Sequence, residues 1–152
     1  MPVIVVGADT PLGEAVMDEF LPRASEVRAF VSSPQAAALL KERGVKVALG
    51  DVSDGSHVGG AALNAFCAVL IQQAATDDRE RSFADDPAAV LAAWAEGVND
   101  AAVKRTIVVW DGPPPEVLSS IRSQTVVVVG ATGGSDDEIA DEVARLEDLA
   151  EL

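Results

Sequence analysis

The sequence has no tyrosine, one cysteine and one histidine. Each scarcity removes a class of chemistry. Cys67 has no partner for an intrachain disulfide, and at the head of an apolar run it reads as a small core residue. One histidine and one cysteine cannot furnish a transition-metal site, so no metal is expected. His57 lies in a Ser/Gly-rich stretch and reads as an exposed turn residue. Ser119, Ser120 and Ser123 have no histidine to act as their base, which argues against a serine nucleophile. Positive charge is scarce as well. Eleven Lys and Arg face 25 Asp and Glu, and the net charge of −14 opposes binding to nucleic acid or to an anionic membrane. No apolar run approaches 18 residues, and the first residues lack a basic flank and cleavage pattern, so a soluble, cytoplasmic protein is expected.

What the chain does have is apolar residue, 49% of the total, in short β-branched runs. They fall at Val3 to Val6, Val27 to Val31, Val45 to Leu49, Ala68 to Ile71, Thr106 to Trp110 and Thr125 to Val129. Helical or turn segments separate them. Ser33-Pro34 starts a helix that Gly44 ends, and Asp86-Pro87 starts a longer one to about Asn99. Ser135 to Glu138 is a capping box, with Ile139, Val143, Leu146 and Ala150 as one apolar stripe behind it. Strands alternating with helices predict an α/β fold: a doubly wound parallel sheet of about six strands in three layers, Rossmann-like, with order 3-2-1-4-5-6. Six such units occupy residues 1–152 as one domain and leave none for a separate substrate domain. Between Asp136 and Leu152 eight acids face one base, Arg145, which reads as a solvated helix face or a docking face for a basic partner.

Ligands of this fold bind outside the carboxyl ends of the strands. Gly7, Ser32, Asp51, Gln72, Trp110 and Gly130 are the residues expected there. The first turn, Gly7-Ala8-Asp9-Thr10-Pro11-Leu12-Gly13, joins a buried strand to a helix whose N-terminus presents N–H groups to an anion. A dinucleotide fingerprint would have glycine at positions 7, 10 and 13, and the middle one here is Thr10. Its β-branched side chain crowds the approach to a phosphate, while its hydroxyl offers a donor. Asp9 and Glu14 add negative charge beside the turn. A second glycine turn, Gly130 to Gly134, opens onto Asp136, Asp137 and Glu138, which repel a pyrophosphate. Residues 72–86 are polar and read as a mobile loop over the crevice, with Arg79 and Arg81 alternating with acids as on a solvated segment.

Three segments resemble the atypical short-chain dehydrogenase/reductase-like proteins, which bind NAD(P) on a Rossmann fold. They are Val-Val-Gly-Ala-Asp-Thr-Pro-Leu-Gly-Glu-Ala-Val at 5–16, Val-Arg-Ala-Phe-Val-Ser-Ser-Pro at 27–34, and Gly-Val-Lys-Val-Ala-Leu-Gly-Asp-Val-Ser-Asp at 44–54. Residues 102–109 are similar to the approach to the family's fifth strand. The resemblance implies that Gly7, Asp9, Thr10, Pro11, Leu12 and Gly13 form the pyrophosphate turn, that Ser32 and Ser33 face the adenosine ribose, that Asp51 and Val52 line the adenine, and that Gln72 reaches the cofactor. NADP-binding relatives carry an arginine near the Ser32 position, and NAD-binding proteins an acid at the end of the second strand. This sequence has neither there, so NAD and NADP both stay open.

The family's usual acid is a tyrosine followed four residues later by a lysine. Tyrosine is absent, and Lys41, Lys46 and Lys104 all precede the fifth strand's end, so that chemistry is excluded. Asp111 reads as a turn former ahead of general acid-base work, and Trp110 as a core or interface residue ahead of a stacking platform. Three functions follow. The first is a non-catalytic NAD(P)- or nucleotide-binding protein with a sensing or regulatory role. The second is a ligand-free scaffold for homo-oligomeric assembly or partner binding. The third is a small NAD(P)H-dependent reductase similar to flavin and biliverdin reductases, protonating from solvent. The alanine-rich helix from Pro87 to Val98, with Trp94, suggests a homodimer.

Overall fold

Six runs of Val, Ile, Leu and Ala pair in parallel into one sheet, and the helices between them cover it on both faces. The computed structural model describes residues 2–23, 26–84, 86–130 and 134–147. The strands are β1 (Val3–Val6), β2 (Val27–Val31), β3 (Lys46–Leu49), β4 (Cys67–Ile71), β5 (Arg105–Trp110) and β6 (Thr125–Gly130). Their order is β3-β2-β1-β4-β5-β6, with every neighbouring pair parallel, as the sequence predicts. The direction in which the chain winds across the sheet reverses between β1 and β4, and a crevice opens at that point.

Side-chain alternation along the strands sorts the core into two layers. Val3, Val5, Val69, Ile71 and Ile107 point to one face, where they meet Leu12, Val16 and Phe20 of α1 (Pro11–Phe20) and Ile139 and Val143 of α6 (Asp136–Glu147). The same face carries α2 (Pro34–Glu42) through Ala37 and Leu40. Ile4, Val6, Leu70 and Val108 point to the other face, toward α3 (Gly55–Ala62) and α5 (Pro87–Ala101). A single turn, α4 (Gln73–Thr76), follows β4 directly. The sequence cues for the helix starts are realised as hydrogen bonds: Ser33 Oγ accepts from the Ala36 amide at 3.2 Å and an Asp86 carboxylate oxygen from the Ala89 amide at 2.9 Å. Ser135 Oγ likewise accepts from the Glu138 amide at 3.2 Å. Gly44, with φ of +85°, follows α2 where a stop is expected.

Several expectations change. The Ser/Gly-rich stretch around His57 forms α3 instead of a turn, because Asp54 caps it and its glycines permit close packing on α5. His57 is exposed, as expected, with its ring edge-on to Phe30 at 4.9 Å. Residues 72–84 are not a loose loop: α4 and a set of side-chain bonds hold them. Trp94 is wholly buried, with its indole N–H donating to the Val52 carbonyl at 2.8 Å, so it is a core residue and leaves the expected homodimer without its anchor. Trp110 is also a core residue, and buried Cys67 has its thiol pKa pushed up by burial, which makes it inert as a nucleophile. Ala131 to Gly133 of the second glycine turn, and Ala150 of the apolar stripe, lie outside the described residues.

Between β5 and β6 the chain makes one short 3₁₀ turn (Glu116–Ser120), and Val126 and Val128 remain exposed on that face of the edge strand. None of the described helices is long and apolar enough to cross a membrane.

Trp94 ties the floor of the crevice to α5 by packing and by one buried hydrogen bond. Trp94→Phe leaves the Val52 carbonyl without its donor and is expected to cost about 1–3 kcal/mol. Trp94→Ala adds a cavity, and about 3–5 kcal/mol is expected. Urea unfolding of both variants, with unchanged m-values, measures the two contributions.

Candidate functional site

Backbone N–H groups at the start of a helix have no partner within it and must find one elsewhere. At α1 the chain supplies all of them. Pro11 has no N–H to satisfy. Thr10 Oγ1 accepts from the Gly13 amide at 2.9 Å and donates its own proton to the Gly7 carbonyl at 2.7 Å. The Leu12 amide donates to Gln73 Oε1 at 3.1 Å. The Thr10 hydroxyl is therefore fully used inside the turn, and the residue is 1% exposed. Glycine is required at both ends of this turn: Gly7 has φ of +95°, and a β-carbon at Gly13 would overlap the Gly7 carbonyl oxygen.

The carboxyl end of β2 is where an adenosine ribose is held in this fold. Asp9 reaches across to it from the first turn. Its Oδ2 accepts from the Ser32 amide at 2.9 Å and from the Ser33 amide at 3.3 Å. Its Oδ1 pairs with Arg79 Nη1 at 2.9 Å, and the same nitrogen donates to Ser32 Oγ at 3.3 Å. The side chains of Asp9 and Arg79 are 5% and 11% exposed. Sequence near Ser32 offers neither an acid nor an arginine, yet the fold delivers one of each.

Arg79 belongs to the segment 72–84, which crosses the crevice and is fastened along its length. Gln73 bonds α1, Arg79 bonds Asp9 of the first turn and Ser32 just after β2, and the Ser82 amide donates to Asp51 Oδ2 at 2.7 Å. The Phe83 amide donates to Ser53 Oγ at 3.0 Å. Asp77 braces the segment internally, pairing with Arg79 Nη2 at 2.8 Å and Arg81 Nη1 at 3.2 Å. Between this strap and the strand ends lies a cavity of about 500 Å³. Asp9, Ser32, Ser33, Gly50 and Asp51 line it from the sheet side, and Asp77, Asp78, Arg79, Glu80 and Ser82 from the strap.

Electrostatics follow from these contacts. Burial works against the charge of Asp51, but hydrogen bonds from the Ser53 hydroxyl and the Ser82 amide outweigh it and lower the pKa. Burial also opposes the charge of Asp77, and Arg79 overcomes it by hydrogen bonding and by its field, again lowering the pKa. For Arg79 burial opposes the charge too, and Asp77 and Asp9 more than restore it.

The expected site residues thus divide. Asp9, Ser32, Ser33 and Asp51 meet at one cavity, with Gly7, Thr10, Pro11, Leu12 and Gly13 shaping the adjoining turn. Val52 is not among the residues that line the cavity: its side chain is wholly buried, and its carbonyl accepts from Trp94. Gln72 spends both ends of its amide on the Asp111 backbone, accepting from the N–H at 2.6 Å and donating to the C=O at 3.2 Å. Gln73, Asp77, Arg79, Ser82 and Ser53 complete the site. The local alternation of charge from Asp77 to Arg81 masks Arg79, which pairs with Asp77 beside it and also with Asp9, 70 residues away. Among the described residues no cluster of His, Cys, Asp and Glu is able to hold a metal ion.

No protein-family model matches the chain, and no curated protein sequence matches it. Solved structures do. ChuY, an anaerobilin reductase from Escherichia coli O157:H7, superposes with a TM-score of 0.71 at 16% identity, over 99% of this chain and 92% of that one. Triphenylmethane reductase from Citrobacter sp., complexed with NADP(H), gives 0.61 at 17% identity, over 95% of this chain and 46% of that one. An NADPH-dependent quinone oxidoreductase from Escherichia coli, complexed with NADPH, gives 0.60 at 16% identity, over 97% and 46%. The chain has the fold of these reductases. It spans nearly all of the first and less than half of the other two. In this Rossmann fold the strap of the present chain lies over the carboxyl ends of β1, β2 and β3.

The lowered pKa values give the strap a defined acid limit. Asp51 and Asp77 are held ionised more firmly in the folded than in the unfolded chain, so their stabilisation is complete above the ordinary carboxylate value and lost as pH falls through the lowered one. Asp51→Asn is therefore expected to lower stability by a constant amount between pH 6 and 7. The gap to the parent should close below about pH 4. Thermal melting of the two proteins across this range is the check, and a gap independent of pH counts against Asp51 as a charged anchor.

Proposed function

We propose that this chain binds a nicotinamide dinucleotide and that binding draws Gln73 off the Leu12 amide and loosens the strap at that end, giving it a cofactor-sensing or regulatory role. The observation that carries the reading is the pairing of backbone donors with acceptors at the crevice. The amides of Leu12, Ser32 and Ser33 already hold oxygen atoms, Gln73 Oε1 on the first and Asp9 Oδ2 on the others, where a dinucleotide would place its own. The cavity over Gly50 and Asp51 has the size of a ligand pocket. The adenine would lie there, the ribose at Ser32 and Ser33, and the pyrophosphate at the Leu12 amide once Gln73 withdraws. A bound nicotinamide supplies hydride chemistry, whereas the residues of this chain bind and position it.

Loosening of the strap at its α4 end is what turns binding into a signal. A pyrophosphate and Gln73 compete for one N–H, so the bound state and the fully fastened strap exclude each other, and the cofactor's differential affinity sets their populations. Absence of tyrosine supports a role without the usual proton donor.

A small reductase drawing its proton from solvent is the second reading, favoured by the match to an anaerobilin reductase over nearly the full length of both chains. Calorimetric titration with NADH and NADPH tests what the two share: saturation below about 100 μM, worth roughly 5.5 kcal/mol, is expected. No heat and no melting shift at millimolar cofactor would leave a ligand-free scaffold. Trypsin separates the two readings further, since Arg79 and Arg81 lie in the strap. Faster cleavage there with saturating cofactor supports sensing, and cofactor oxidation by flavin or quinone acceptors supports the reductase.

A further inference from the structure

We infer that Asp9 is a built-in substitute for the 2′-phosphate of NADP, and that it makes this chain selective for NAD(H). The inference rests on the dinucleotide reading above and specifies the cofactor within it. A 2′-phosphate at the end of β2 requires hydrogen-bond donors and a cation. Both are present in the form of the Ser32 and Ser33 amides and the Arg79 guanidinium, and Asp9 engages all three. One carboxylate oxygen takes the two amides, the other takes the guanidinium, and the side chain is 5% exposed.

Competition for these donors is only part of the discrimination. Arg79 is also paired with Asp77 at 2.8 Å, so its charge is neutralised twice over. The cavity wall carries Asp9, Asp51, Asp77, Asp78 and Glu80 against this one arginine. A group bearing close to two negative charges meets repulsion from every side. A ribose 2′-hydroxyl brings no charge and donates a hydrogen bond, for which the Asp9 carboxylate is an acceptor. The same carboxylate that excludes the phosphate therefore welcomes the hydroxyl.

Asp9 stands inside the glycine turn, one residue before the helix cap, and not at the end of the second strand. Its removal should do more than abolish repulsion. It releases two amides and a guanidinium, which together form an anion site, so a single substitution is expected to reverse the preference.

The experiment is calorimetric titration of the full chain and of Asp9→Asn and Asp9→Ala with NADH and with NADPH, with circular dichroism confirming that each variant is folded. The parent is expected to bind NADH at least tenfold more tightly than NADPH. Both variants should bring that ratio to one or below, through a gain in NADPH affinity. Arg79→Leu provides an independent arm, since it removes the cation and leaves the carboxylate. Its ratio should move further toward NADH. A parent that binds NADPH as tightly as NADH, or folded Asp9 variants with the parent's ratio, would overturn the inference while leaving the dinucleotide reading intact. Binding of neither cofactor by any of the proteins would overturn that reading and the inference together.

Discussion

Backbone N–H groups at the carboxyl edge of a parallel sheet must be given an acceptor, and the whole of this crevice is organised around that need. Each parallel strand delivers the chain into a turn whose amides point outward, away from the ladder and ahead of the next helix. Water or a ligand satisfies them in many proteins of this architecture. Here the chain does so itself, with Thr10 on Gly13, Gln73 on Leu12 and Asp9 on Ser32 and Ser33. Three different segments are thereby drawn together, and the strap is the one that had to come farthest.

Local stability and ligand access consequently share the same bonds. Gln73 contributes to the cap of α1 while it covers the Leu12 amide, and Asp51 holds the Ser82 amide while it lines the cavity. Thr10 is different in kind. Its hydroxyl donates to Gly7 and accepts from Gly13, so its bonds are made inside the turn. The residue that most plainly departs from the fingerprint turns out to govern the shape of the turn, and its neighbour Asp9 governs the charge.

Architecture was legible in the sequence because its determinants are local. Runs of β-branched residues, Pro after a capping residue and Gly44 after the second helix each act within a few positions, and the strand order is the one expected of a doubly wound sheet of this class. The helix at His57 was not legible, since Gly and Ser have low helix propensity and α3 forms through packing on α5. Burial of Trp94 was hidden in an alanine-rich stretch whose apolar face cannot be oriented without knowing where Val52 lies. The decisive pair, Asp9 with Arg79, is a tertiary contact: each residue read alone is an exposed charge in a polar segment, and only the crossing of the strap brings them together.

The bare edge of the sheet carries a consequence for colloidal behaviour. Among the described residues β6 has a strand neighbour on one side only, and Val126 and Val128 stand exposed beside it, which is the form of edge that invites pairing with another chain. Flanking it, α6 carries Asp136, Asp137, Glu138, Asp141 and Glu142, so two approaching copies meet like charge before their strands meet. That protection has the range of the Debye length, about 8 Å at physiological ionic strength and about 3 Å in molar salt. Added electrolyte is then expected to shorten the distance at which two such edges repel each other.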